Sequence, residues 1–193
     1  MRSAIHWAVL GLLIERPGHG YDVLQRFDSA YAGVIELSTN SQINGALKAL
    51  AQRGMIERLP TDEPGPDASA RPRTRYRPTA KGLRDYEQWL HSFSPRSADA
   101  PGVFARQVAV LPTATALSVI ERYEQACLSE TSMIRVARTQ ASAGGRDGDP
   151  LEAQLISEEK HLALAAKIQW ARFARSRIQA LASRQARGRE SQS

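Results

Sequence analysis

Apolar residues recur at helical spacing in three short segments near the start of the chain, and this pattern predicts three helices. The apolar positions are, helix by helix, Ile5, Val9, Leu12 and Leu13, then Leu24, Phe27 and Tyr31, then Ile43, Leu47 and Leu50. Pro17-Gly18 breaks the chain after the first helix, and Gly33 ends the second. Ser38 or Thr39 can cap the third helix, and Gly54 stands where a C′ glycine belongs.

The apolar residues then change from helical spacing to alternation with polar residues. Residues 55–59 read Met-Ile-Glu-Arg-Leu, which predicts a strand, and residues 73–77 predict the return strand. The segment between them, residues 61–69, is rich in Pro, Asp and Gly and predicts an exposed loop. Three helices followed by a two-stranded hairpin are the order of a winged helix-turn-helix domain.

The second half of the chain is patterned as helices throughout. A fourth helix begins near Ala80, and two long helices, opened by Thr113 and Pro150, are joined by a glycine-rich turn. Two such helices alone bury too little apolar surface, so they need either the first domain or a second copy of themselves. A homodimer through these helices is the simpler arrangement, and we expect it. The predicted fold class is mainly α with a small β hairpin. The predicted regions are a winged helix-turn-helix domain over 1–94, a linker over 95–102, a helical dimerisation and effector domain over 103–183, and a frayed tail over 184–193.

Composition narrows the class of protein without identifying it. The chain has 193 residues, 42% hydrophobic and 24% charged, as expected of a globular domain pair. Its single cysteine, Cys127, excludes an internal disulfide and indicates a reducing compartment, so we expect a cytoplasmic protein. No apolar run reaches the roughly 18 residues of a membrane span. The apolar stretch that Glu15 ends has no cleavage site after it, which predicts a core helix and not a signal peptide.

The net charge of +6 favours an anionic partner, and the clearest basic feature is local. Arg71, Arg73, Arg75 and Arg77 occupy alternate positions, so in a strand they would line one face. Thr79 can cap the next helix, and Lys81 lies just inside it. No acidic residue occurs from position 68 to 84, which favours phosphate contact over a merely solvated strand face.

The third helix is the candidate recognition helix. Its first turns carry polar side chains suited to base edges and phosphates, from Thr39, Asn40, Ser41, Gln42, Asn44 and Lys48. Taken alone, this pattern favours a capped, solvated first turn. The arginine strand that follows favours the DNA-binding interpretation.

For the histidines, the cysteine and the C-terminal aromatic residues, the sequence favours structural roles. The four histidines are scattered, and Glu158 with His161 supplies two possible ligands without a third, so no metal site is expected. No catalytic set or phosphate loop stands out, so we expect neither an enzyme nor a cofactor. Cys127 is a buried hydrophobe or, alternatively, a redox switch. The aromatic residues Trp89, Trp170 and Phe173 belong to the core or a dimer interface, or line a slot for a flat effector.

Three segments together resemble the PadR family of transcriptional regulators. They are A-V-L-G-L-L-I-E-R-P-G-H-G-Y-D-V at Ala8–Val23, L-K-A-L-A-Q-R-G-M-I-E at Leu47–Glu57 and R-P-R-T-R-Y-R-P-T-A-K-G at Arg71–Gly82. The resemblance implies a homodimeric repressor with a winged N-terminal domain, often released from DNA by a small aromatic effector. Asn44 stands where members commonly carry a tyrosine. Asparagine can form two hydrogen bonds with adenine, which tyrosine cannot. The operator sequences of other family members should therefore not be assumed for this chain.

We therefore expect a sequence-specific regulator whose partner is double-stranded DNA, with base choice by the third helix and backbone contacts from the arginine strand and Lys81. The alternative is a ligand-responsive protein-interaction module that has a winged-helix fold but does not bind DNA specifically.

Overall fold

The structure is a computed structural model, and it describes residues 4–32, 35, 40–59, 74–95, 101–143 and 151–190. Its elements, in chain order, are α1 (Ala4–Glu15), β1 (Gly18–His19), α2 (Gly20–Tyr31), α3 (Asn40–Gln52), β2 (Ile56–Leu59), β3 (Arg75–Pro78), α4 (Ala80–His91), α5 (Pro101–Ala109), α6 (Thr113–Ala143) and α7 (Leu151–Glu190). The fold is mainly helical with a small antiparallel sheet, the winged helix-turn-helix architecture predicted from the pattern. No helix in these ranges is both long and apolar enough to cross a membrane.

Helix α1 is the centre of the first core. The pattern predicts one apolar stripe, but every residue from Trp7 to Leu13 is buried. A helix that is apolar on all sides is typical of a central position, and here α2, α3, α5 and β3 all contact it. Gly11 lets α4 approach, because a Cβ there would lie 2.5 Å from the Tyr86 hydroxyl oxygen.

Helices α2 and α3 form the helix-turn-helix. Phe27 and Tyr31 of α2, and Ile43, Leu47 and Leu50 of α3, are almost completely buried, as the helical spacing predicts. Gly54 has φ of 66°, so the predicted C′ glycine is confirmed. The N–H of Met55 donates to the Leu50 carbonyl at 3.0 Å, which closes the helix end and directs the chain into β2.

The sheet has three antiparallel strands in the order β1-β3-β2, where the sequence pattern predicts two. Gly18 pairs with Tyr76 on one edge of β3, and Glu57 pairs with Arg77 on the other. A two-residue strand is too short to show alternation, so no pattern marks β1. The predicted return strand at 73–77 is observed as Arg75–Pro78, and Arg73 lies outside the described residues.

The chain divides into two compact units. The first contains residues 1–90 and 98–111, and the second contains residues 91–97 and 112–193. This division groups α5 with the first unit, whereas the predicted regions put it in the C-terminal domain. The physical reason is that α5 buries Val103, Phe104 and Val108, while the Tyr86 hydroxyl donates to the Gln107 carbonyl at 3.2 Å.

The second unit is built on the α6–α7 pair. Residues equally distant from the connecting segment meet, as in an antiparallel hairpin: Tyr123 contacts Trp170, and Glu124 contacts Arg172. The Lys167 ammonium donates to the Pro95 carbonyl at 2.5 Å, which attaches residues 91–97 to α7. Helix α7 continues to Glu190, through most of the segment that the sequence predicts as a frayed tail.

Candidate nucleic-acid interface

Helix α3 has one buried face and one exposed polar face. Ile43, Ala46, Leu47 and Leu50 form the buried face. Ser41, Asn44, Lys48 and Gln52 lie three, four and four residues apart along the exposed face. Among the predicted site residues, Asn40 begins the helix, Gln42 is half-buried at the edge of this face, and Thr39 lies outside the described residues. The exposed face therefore presents amide, hydroxyl and ammonium groups in one continuous row.

Gly45 lies in the middle of this exposed face and has no evident structural reason to be glycine. It is within a regular helix, and a Cβ built there meets no atom within 4 Å. Glycine inside a helix costs roughly 1 kcal/mol relative to alanine. The exposed face of α3 therefore has no side chain at Gly45, in the middle of its row of polar residues.

Strand β3 places Arg75 and Arg77 on one exposed face, as their alternate spacing predicts. The expectation that no acid lies near this run is wrong for Arg77. Its Nε donates to the Glu57 carboxylate across the β2–β3 ladder at 2.6 Å. This pair could not be predicted from the sequence, because Glu57 is 20 residues away from Arg77 along the chain. Both side chains are about half exposed, so the pair contributes at most about 1 kcal/mol.

Lys81 also has an acidic neighbour, since its ammonium donates to the Asp85 carboxylate one turn later at 2.8 Å. Within the described part of the chain, Lys48 and Arg75 form no ion pair. Of the predicted phosphate contacts that the structure describes, these two cations are therefore the least compensated.

Thr79 joins the wing, which is the β2–β3 hairpin, to the end of α3. Its hydroxyl oxygen accepts from the Gly82 N–H at 3.0 Å, which confirms the predicted helix cap, and it donates to the Gly54 carbonyl at 2.6 Å. The Thr79 N–H donates to the Met55 carbonyl at 3.0 Å. The strand that carries Arg75 is thereby held at the C-terminal end of α3 by two short hydrogen bonds, from Thr79 to Gly54 and to Met55.

Strand β1 brings the His19-Gly20 segment into the same region. His19 pairs with Arg75 in the sheet, and its Nδ1 is buried without a hydrogen-bond partner. Gly20 lies against α3, because a Cβ there would be 3.5 Å from the Asn44 side-chain oxygen. Pattern reasoning identified the helix start at Gly20 but not this strand, for which the Pro17-Gly18 break is the only sequence signal.

The predicted effector aromatics divide between the two units. In the first unit, Trp89 stacks on Trp7 with ring centroids 4.5 Å apart and planes at 6°. In the second, Trp170 meets Tyr123 edge to face at 6.0 Å, and Phe173 is 64% exposed. One face of Trp89 is therefore occupied by an intramolecular partner. A slot formed by these three aromatics stays a prediction.

Cys127 is fully buried in the second unit, and burial raises the pKa of its thiol. A buried, protonated thiol suits packing better than redox chemistry. Across the described ranges, no three His, Cys, Asp or Glu side chains gather in a way that could hold a metal ion.

Part of the chain is similar in sequence to a known protein family. Residues 9–88 match the sequence model of the transcriptional regulator PadR-like family. No curated protein matches the chain at a significant level.

Several solved structures are similar to the chain at low identity and low TM-score. Bacillus subtilis PadR in complex with operator DNA is 20% identical over 91% of this chain and 99% of that chain, with a TM-score of 0.40. The same protein in complex with p-coumaric acid is 19% identical over 92% and 99%, with a TM-score of 0.38. The Vibrio cholerae virulence activator AphA is 17% identical over 93% and 99%, with a TM-score of 0.36. Over residues 9–88, which include the helix-turn-helix and both strands of the β2–β3 wing, the chain is therefore similar to the PadR-like family of transcriptional regulators.

Proposed function

We propose that this chain is a sequence-specific DNA-binding regulator that acts in the cytoplasm as a homodimeric repressor. The observation that carries the proposal is the exposed polar face of α3, held beside the Arg75 face of the wing by the hydrogen bonds from Thr79 to Gly54 and Met55. A helix with one polar face fits the major groove, and a basic strand beside it suits the flanking backbone.

Base recognition would depend on the amides of α3. Asn44 is exposed at the centre of the row, and an asparagine or glutamine can donate to and accept from adenine at once. Lys48 and Arg75 would neutralise phosphates, which positions the helix without reading sequence. Arg77 and Lys81 would contribute less charge, because each already has a carboxylate partner.

The first prediction concerns Arg75. Its replacement by alanine should weaken DNA binding about tenfold on all sequences and lower the salt slope by about one, because one phosphate contact is lost. The measurement is fluorescence anisotropy across a salt series, with duplexes selected from a random pool. Arg135→Ala removes an equal charge from the second unit and should leave both values unchanged. An unaltered salt slope in Arg75→Ala would refute the wing contact.

Gly45 gives a second prediction with opposite effects on stability and binding. Gly45→Ala should raise the free energy of unfolding by about 0.5–1 kcal/mol, because alanine is the better helix residue and the site is empty. It should weaken DNA binding, since the added methyl group stands between the helix and the groove floor. Gly102→Ala, also exposed with open space around it, is the matched control and should leave DNA affinity unchanged. Tighter binding by Gly45→Ala would count against groove insertion of this face.

The homodimer is proposed from an apolar face of α7. Leu155, Leu162 and Phe173 are exposed, and their separations of seven and eleven residues return to the same side of a helix. Leu164 and Ala171, which are buried, lie on the opposite side. A second copy covering the exposed face would bury these side chains and bring two winged domains to two half-sites.

The corresponding prediction is that the parent sediments as a dimer and that Leu155→Glu with Phe173→Glu sediments as a monomer. Burying two carboxylates in an apolar interface is strongly unfavourable. Sedimentation velocity measures the change, and Lys160→Glu, on another side of α7, serves as the control. A double variant that stays dimeric would place the dimer contact elsewhere.

Repression, and release by a small aromatic effector near Trp89, Trp170 and Phe173, complete the proposal, and they rest on the family resemblance. The alternative function, a protein-interaction module without specific DNA binding, predicts that the random-pool selection yields no consensus. A consensus together with salt-dependent binding would exclude it.

A further inference from the structure

The positive charge of the chain is concentrated in its last helix. No acidic residue occurs between Glu159 and Glu190, and this span of α7 holds two lysines and six arginines. When these eight are subtracted from the 26 Lys and Arg of the chain, 18 remain against 20 Asp and Glu. The net charge of +6 is therefore carried by this span of α7, and the rest of the chain is close to neutral.

The arginines of α7 divide into those with acidic partners and those without. Arg172 and Arg175 bind the buried Glu124 carboxylate, at 3.0 and 2.9 Å. Within the part of the chain that the structure describes, Arg177 and Arg184 form no ion pair. Both side chains are exposed. The charge that is left uncompensated therefore lies toward the C-terminal end of the helix.

Arg177, Arg184 and Arg187 share one side of α7. They are seven and three residues apart, which corresponds to two turns and one turn of an α-helix. All three are exposed. Their guanidiniums are thereby spread over about 15 Å of one helix face.

This end of α7 extends past the helix that covers the rest of it. Helices α6 and α7 are antiparallel, and Glu124 of α6 meets Arg172 of α7. Thr113, the first residue of α6, accordingly lies opposite about residue 183 of α7. Arg184 and Arg187 therefore belong to a stretch of helix that α6 does not reach.

The composition of this stretch favours duplex DNA over other anionic partners. Residues 174–190 contain no aromatic side chain, on which the bases of a single strand would stack. Residues 182–190 contain no apolar side chain larger than alanine, so they offer no anchor for a lipid surface. A rigid helix with guanidiniums along one face matches the stiff and evenly charged backbone of a duplex.

We propose that the C-terminal end of α7 is a second DNA-binding surface, where Arg177, Arg184 and Arg187 neutralise phosphates without reading sequence. Guanidinium and phosphate form charge-assisted hydrogen bonds, and contacts of this kind let a protein slide along DNA. Because α7 belongs to the second unit, this surface is separate from α3 and the wing. It goes beyond the proposed base recognition and does not depend on it.

The test is fluorescence anisotropy of the full chain with a random-sequence duplex across a salt series. Arg184→Gln with Arg187→Gln should lower the salt slope by about two and weaken binding at least about tenfold at low salt, because two phosphate contacts are lost. Arg122→Gln with Arg135→Gln removes the same charge from exposed positions on α6 and should leave both values unchanged. An unaltered salt slope in the α7 variant would overturn the proposal.

A charge-conserving variant separates phosphate contact from a change in the helix. Arg184→Lys with Arg187→Lys should keep the salt slope of the parent, because lysine also neutralises a phosphate. Circular dichroism should show the same helix content in both double variants, since Arg, Lys and Gln have similar helix propensity. A salt slope that falls as far with lysine as with glutamine would contradict the phosphate contact.

Two further ligands test the choice of partner, and one further variant separates the two proposals. A single strand bound as tightly as the duplex would overturn the assignment. So would phosphatidylserine vesicles whose binding the glutamine variant loses while its duplex salt slope is unaltered. In an Arg75→Ala background, the two glutamines should lower the salt slope by about two more, because distant sites act independently. The wing contact and the α7 contact can therefore fail separately.

Discussion

Replacing Gly82 with alanine should destabilise the first unit by more than about 3 kcal/mol. Gly82 is buried in the first turn of α4, and a Cβ there would overlap the carbonyl oxygen of Met55 and lie 2.9 Å from its carbonyl carbon. The obstacle is backbone, and it cannot rotate away as a side chain could. The same carbonyl accepts the Thr79 N–H, so moving it also breaks the link between α3 and the wing.

Urea unfolding of the full chain at one fixed protein concentration measures this effect by circular dichroism. Gly102→Ala, which adds the same methyl group in open space, should unfold at or slightly above the urea concentration of the parent. DNA affinity should fall in Gly82→Ala, because Arg75 loses its position relative to α3. A Gly82→Ala chain as stable as the parent would show that α4 does not pack on Met55 as described.

Removal of both arginines that face Glu124 should destabilise the second unit by about 3 kcal/mol. The Glu124 side chain is 5% exposed, and its oxygens meet Arg172 at 3.0 Å and Arg175 at 2.9 Å. Arg172→Met with Arg175→Met keeps the apolar stems but leaves a buried carboxylate without a counter-charge. Glu124→Gln should cost less, about 1 kcal/mol, because the arginines are partly exposed and regain water.

The triple variant, Glu124→Gln with both methionines, separates charge from packing. It should recover most of the stability lost in the double variant, because no buried charge is left. Urea unfolding followed by fluorescence suits this test, since Trp170 contacts Tyr123 one residue from Glu124. A triple variant as unstable as the double variant would show that the lost stability comes from the arginine stems.

Most helix boundaries in the first unit could be predicted, because local chemistry sets them. Gly54 can adopt positive φ, and Thr79 can cap α4, so both termini were identified from residue type and spacing. The buried faces of α2 and α3 follow from periodicity for the same reason. The exposed face of α3 could be predicted in the same way, because the residues that lie off the apolar face of a helix are the exposed ones.

Contacts between residues far apart in sequence could not be predicted. Glu57 and Arg77 meet only because β2 and β3 pair in one particular register. The strand at Gly18–His19 forms only because the edge of β3 is there to receive it. A shift of one residue in either pairing would bring other side chains together, and single-sequence periodicity carries no information about register.

The amino-acid sequence by itself determined the order of the helices and of the β2–β3 hairpin, the polar face of α3 and the alternate spacing of the wing arginines, since each depends on near neighbours along the chain. The tertiary structure decided which cations have partners and where α5 packs. These outcomes depend on long-range packing of α1, α2, α5 and the sheet. Burial and charge pairing arise only when those surfaces meet.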